Sequence, residues 1–94
     1  MSKQENAGPI RVLLVDDHAI LRDGMCALLA TVPEIEVVGE ADNGLDGVSM
    51  AQGLRPDVIL MDLAMPEMDG IEAIRQIIAG QPGARILEIG RAHV

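Results

Sequence analysis

Residues 10–17 read Ile10-Arg11-Val12-Leu13-Leu14-Val15-Asp16-Asp17, a short and almost continuously apolar run that stops on two carboxylates. An apolar run of this kind, without alternation, marks a strand buried on both faces. Its counterpart is Asp57-Val58-Ile59-Leu60-Met61-Asp62, again apolar and again ended by a carboxylate. Two more strands are expected at Ile35 to Glu40 and from Ala84 to Leu87. Between the first pair, Leu21, Met25, Leu28 and Val32 recur at helical spacing over residues 18–31, with Ile20 and Leu29 beside them and Pro33 as the stop. Asp42-Asn43-Gly44 supplies turn and cap chemistry for a second helix carrying Leu45, Val48 and Ala51, closed by Arg55-Pro56. Ile71, Ile74, Ile77 and Ile78 mark a third. Strand and helix alternate throughout, which implies right-handed βαβ units and a parallel sheet with helices on both faces. The fold class is α/β.

Ninety-four residues make one domain at most, and domains near this size bury only about 60–70% of their unfolded surface. A hydrophobic content of 49% and a mean hydropathy of +0.27 describe a globular chain rather than a disordered one. There is no Phe, Tyr or Trp, so aliphatic side chains and the six Met residues must fill the core. A net charge of −8 opposes nucleic-acid binding by this segment and suits cations or a basic partner. The single cysteine, Cys26, forms no internal disulfide, in keeping with a reducing compartment. Residues 1–9 are polar and read as a flexible leader rather than a secretory signal, and no apolar run is long enough to span a bilayer. The expectation is a soluble, cytoplasmic protein.

In a parallel sheet all strands finish at one edge, and ligands bind there. Asp16 and Asp17 follow the first strand and Asp62 ends the third. If those strands are neighbours, three carboxylates converge within about 5 Å, one strand spacing. Their mutual repulsion calls for a hard divalent cation, and Mg²⁺ is commonly held by one or two carboxylates. A lone Asp after a buried strand is ordinarily a cap or turn residue; a pair matched by a third on another strand is a functional cluster. A carboxylate can also act as a nucleophile and carry an aspartyl phosphate. Asp62, alone at its strand end, is the candidate nucleophile, leaving Asp16 and Asp17 for the metal.

Val12 to His18 (VLLVDDH), Leu21 to Met25 (LRDGM) and Asp57 to Gly70 (DVILMDLAMPEMDG) resemble the receiver domain of bacterial two-component response regulators. The DDH followed by Arg22, Gly24 and Met25 is similar to the NarL/FixJ subgroup, whose members join a receiver to a helix-turn-helix domain. The resemblance covers residues 10–87. It implies a flavodoxin-like fold of strand order 2-1-3-4-5, with Asp62 the phosphoacceptor and a histidine kinase the donor. It also implies that Asp17 binds Mg²⁺ directly, Asp16 mostly through water, and Ala64 through its backbone carbonyl. Asp62 shares that metal, and Pro66 and Gly70 shape the loop entering helix three. DNA would be a partner only through an output domain beyond this chain.

Other polar residues have simpler readings. His18 is assigned a structural or surface role, because imidazole suits Mg²⁺ poorly. Cys26 is read as inert packing, and Asp23, Glu67, Asp69 and Glu72 as solvated charges, with Asp69 also able to cap helix three. Arg22 is either a surface charge or a partner contact.

The chain departs from the family pattern toward its end. A Ser or Thr is expected after strand four and a Lys after strand five, yet the only such residues are Ser2, Thr31, Ser49 and Lys3. Residues 88–94 (Glu88-Ile89-Gly90-Arg91-Ala92-His93-Val94) do not continue the pattern. The codons GAG ATC GGA AGA GCA CAC GTC encode them and resemble a common sequencing adapter, so a translated adapter is the expectation for this tail. With the fifth unit missing, exposed apolar surface and an open strand edge predict a weakly folded, self-associating chain.

The leading expectation is thus a partial receiver, not an enzyme, that assists its own Mg²⁺-dependent phosphorylation. One alternative is an inactive fragment. A haloacid-dehalogenase-type phosphatase is the enzyme alternative, but it needs a second Asp two residues past its nucleophile, where this chain has His18 or Ala64.

Overall fold

The computed structural model describes residues 8–63 and 70–89. Within them β1 (Ile10–Val15), α1 (Ala19–Leu29), β2 (Ile35–Ala41), α2 (Gly44–Leu54), β3 (Val58–Asp62), α3 (Gly70–Gly80) and β4 (Arg85–Ile89) follow in order. The strands pair in parallel in the order β2-β1-β3-β4. This is the α/β, flavodoxin-like arrangement expected from the sequence. β1 lies between β2 and β3, and Val12 to Val15 are buried, as an apolar run without alternation requires.

The two faces of the sheet are filled unequally. On one, Leu13, Val15, Ile59 and Met61 pack with Val48 and Ala51 of α2 and Ala73 and Ile77 of α3. The other face is served by α1, which contains no buried residue. Ile20 is 89% exposed and Leu28 69%. The apolar spacing of α1 is helical as expected, but an apolar stripe is buried only when neighbours close over it. Among the described residues α1 has no second helix beside it on this face.

Local chemistry sets the element ends. Asn43 caps α2 by accepting the Asp46 backbone N–H at 2.8 Å. Arg55 adopts a left-handed backbone (φ 48°) directly after α2, and the buried Pro56 leads the chain into β3. Arg11 ties this corner down, donating from Nη1 to the carbonyls of Leu54 and Arg55. Its backbone N–H meets Asp57 Oδ2 at 2.9 Å. β4 runs to Ile89, two residues past the Leu87 boundary read from the sequence. Met61 faces Glu88 and Asp62 faces Ile89 in the ladder.

Candidate functional site

Parallel pairing brings the ends of β1 and β3 to one edge. Val15 is the ladder partner of Met61, so the next residue on each strand is a carboxylate, Asp16 and Asp62. Both sit within the fold, at 3% and 0% exposure. Asp17 is one step further out and half-buried, and His18 opens α1 as its N-cap.

The turn after β1 is braced from several directions. The Asp16 backbone N–H donates to the Ala41 carbonyl of β2 at 3.0 Å. Asp16 Oδ1 accepts the His18 backbone N–H at 2.8 Å, a side-chain-to-backbone turn typical of Asp. Arg22 reaches back from α1 to donate from Nη1 to the Asp16 carbonyl, and its Nε meets Glu40 Oε1 at 3.1 Å. Arg22 therefore braces the acidic turn, a role that neither sequence reading of it anticipated.

Asp16, Asp17, His18 and Asp62 each offer one ligand atom, and these atoms lie within 4.8 Å of one another. The three carboxylates converge as the strand ends predicted. His18, set aside in the sequence, joins them with Nδ1 2.9 Å from Asp17 Oδ1 and 3.7 Å from Asp16 Oδ1. Its place at the helix N-cap, directly after the acidic pair, was the available signal. Carboxylates this close, two of them buried, would be favoured by a compensating cation, since buried charge is costly. The donor set could hold a divalent metal ion, which Asp16, Asp17 and Asp62 would meet with oxygen.

Ala64, Pro66, Glu67 and Asp69 lie outside the described residues. Gly70 lies within them, and its role is one of space. A Cβ there would sit 2.8 Å from the Leu63 Cα and 3.0 Å from the Asp62 carbonyl oxygen, so a side chain would displace the strand end carrying Asp62. Glu72 is part-exposed and accepts from Arg75 and Gln76 of its own helix. Cys26 is half-buried on α1. Desolvation first, then the hydrogen bond and negative charge of Glu40, push its thiol up to about 11. Inert packing, as read from the sequence, agrees with that value.

Residues 12–93 match the response regulator receiver domain family. The chain belongs to that family. The transcriptional regulatory protein LiaR of Bacillus subtilis is 60% identical over 68 residues, covering 72% of this chain and 32% of LiaR. The signal receiver domain of the NarL response regulator from Mycobacterium tuberculosis superposes with a TM-score of 0.85 at 32% identity, covering 93% of this chain and 70% of that one. A CheX–CheY–BeF3–Mg complex from Borrelia burgdorferi gives a TM-score of 0.82 at 25% identity, covering 95% and 71%. The receiver spans about a third of the length of LiaR. No helix among its described residues is long and apolar enough to cross a membrane.

Proposed function

We propose that this receiver accepts a phosphoryl group on Asp62 from a phosphohistidine of a histidine kinase, with Mg²⁺ at the strand edge. The observation that carries the reading is the convergence of the buried Asp62 and Asp16 with Asp17 within 4.8 Å. A carboxylate oxygen of Asp62 attacks phosphorus as the bond to the donor nitrogen breaks, leaving an aspartyl phosphate. Asp62 is fixed at the end of a paired strand, so its approach is set by the sheet rather than by a mobile side chain. Asp16 and Asp17 hold the cation, and Arg22 holds the turn that presents them. A bound Mg²⁺ supplies charge neutralisation for the incoming phosphoryl oxygens. The Borrelia burgdorferi receiver complex, described with BeF3 and Mg, supports that assignment. Ala64 would add its backbone carbonyl.

The receiver turns over no separate substrate and contributes only to its own modification. The likeness to LiaR supports a parent protein that regulates transcription; a DNA-binding output domain and a cytoplasmic location complete the proposal. Residues 88–94 are proposed to be a tail foreign to the family pattern.

Incubating the chain with acetyl phosphate and Mg²⁺ and measuring intact mass tests the reading. One phosphoryl adduct on the wild type, absent from Asp62→Ala, is the expected result. No adduct on the wild type would instead favour an inactive fragment.

A further inference from the structure

The cluster at the strand edge is not made of oxygen alone. His18 Nδ1 lies 2.9 Å from Asp17 Oδ1 and 3.7 Å from Asp16 Oδ1, and the ligand atoms of these residues and Asp62 fall within 4.8 Å of one another. In an octahedral shell with bonds near 2.1 Å, neighbouring ligand atoms stand about 3 Å apart and opposite ones about 4 Å apart. His18 Nδ1 thus stands at the separation of a neighbouring ligand from Asp17, and between the neighbouring and opposite separations from Asp16. A simple hydrogen bond to Asp17 explains the shorter contact. The ring also stands 3.7 Å from Asp16 Oδ1, and Asp62 belongs to the same group of atoms within 4.8 Å.

We infer that His18 is a nitrogen ligand of the divalent-cation site, and that it tilts the site's selectivity from Mg²⁺ toward later first-row ions such as Co²⁺ and Ni²⁺. The inference rests on the reading of Asp16, Asp17 and Asp62 as a cation site. Mg²⁺ is a hard ion that prefers oxygen and exchanges it reluctantly for nitrogen, whereas imidazole suits the later ions well. Every site of mixed donors favours those ions to some degree, so the informative quantity is the change in selectivity when the nitrogen is removed. His18 is more than half exposed at its side chain, so its replacement leaves the core untouched. It also leaves room for water to take its place on Mg²⁺.

The test uses the whole 94-residue chain, freed of metal, with its His18→Gln, His93→Gln and Asp17→Asn variants. Mn²⁺ is bound first and examined by pulsed electron paramagnetic resonance for coupling to a ligand nitrogen. Co²⁺ and Mg²⁺ affinities are then measured by calorimetry. Expected are a nitrogen coupling in the wild type and in His93→Gln that is lost in His18→Gln, and a Co²⁺ affinity at least about tenfold weaker in His18→Gln with Mg²⁺ affinity nearly unchanged. Bound Mn²⁺ without nitrogen coupling, a coupling that survives in His18→Gln, or equal loss of both metals would overturn the inference while leaving the cation site in place. A wild type that binds no Mn²⁺, or an Asp17→Asn variant that binds as well as the wild type, would overturn the cation site itself.

Discussion

Arg22 and Asp16 are joined side chain to backbone: the guanidinium on α1 donates to the carbonyl of the first aspartate of the acidic turn. The same guanidinium holds Glu40 near the end of β2, with its side chain only 17% exposed. Removing it leaves an enclosed carbonyl without that donor. Arg22→Ala is expected to destabilise the chain by about 1–2 kcal/mol and to weaken divalent-cation binding. Arg22→Lys, which lacks the planar fork, recovers only part of either. Urea unfolding followed by far-ultraviolet circular dichroism measures the first, since the chain has no aromatic side chain to report by fluorescence. Calorimetry measures the second.

Gly70 leaves no room for a methyl group against Leu63 and the carbonyl of Asp62. Gly70→Ala should cost about 1–3 kcal/mol through backbone displacement. It should also slow phosphorylation by acetyl phosphate, because the displaced atoms carry the acceptor. Gly53→Ala makes the matched control, as nothing lies near its Cβ direction and it sits within α2. Parallel denaturation and intact-mass time courses of the two variants separate the effects.

Cys26 holds its proton up to about pH 11, first through burial and then through Glu40. Its alkylation by iodoacetamide should therefore be slow near neutrality and climb about tenfold per pH unit until that value is approached. Glu40→Gln removes an acceptor and a negative charge, so the midpoint should fall and the rate near neutrality should rise. Because the folded state holds this proton more tightly than the unfolded chain, the thiol's contribution to stability is whole below the unfolded thiol's pKa. It is lost as pH rises through about 11. A rate profile measured across that range by mass spectrometry checks the midpoint.

Glu88 stands opposite Met61 in the ladder, two residues beyond Ile86, which packs against the core. Strand alternation puts it on the same side of the sheet as Ile86, but at this end of β4 it is exposed. Glu88→Val should stabilise the chain by about 0.5 kcal/mol through strand propensity alone. An unchanged denaturation midpoint would contradict this.

Leu87 is 59% exposed, and with Leu28 on α1 it leaves apolar surface in contact with water. Exposed apolar side chains of this kind favour association. Sedimentation velocity should show larger species with rising concentration for the wild type and fewer for Leu87→Lys.

Much of this architecture was legible because each strand is short, apolar and ended by an unmistakable break. Asp16, Asp17 and Asp62 could be placed together from sequence, since parallel strands necessarily deliver their ends to one edge. That the His18 ring would stand beside the carboxylates was not legible, because the preference of Mg²⁺ for oxygen says nothing about where the N-cap of α1 puts a side chain. The exposure of α1 was hidden because periodicity reports which side of a helix is apolar, not whether anything lies against it. The brace from Arg22 was illegible because its partners, Glu40 and the Asp16 carbonyl, meet only once β2 pairs with β1.

A helix with no buried residue has little to lose by opening. α1 carries no side chain into the core, whereas α2 and α3 each do. Its amides should therefore exchange with solvent deuterium through excursions much cheaper than global unfolding, while those of β1 and β3 exchange only with the whole domain. The acidic turn lies on the seam between these two regimes. Cation occupancy would thus be visible as slowed exchange along α1, and the least stable helix of the receiver becomes the reporter of its ligand.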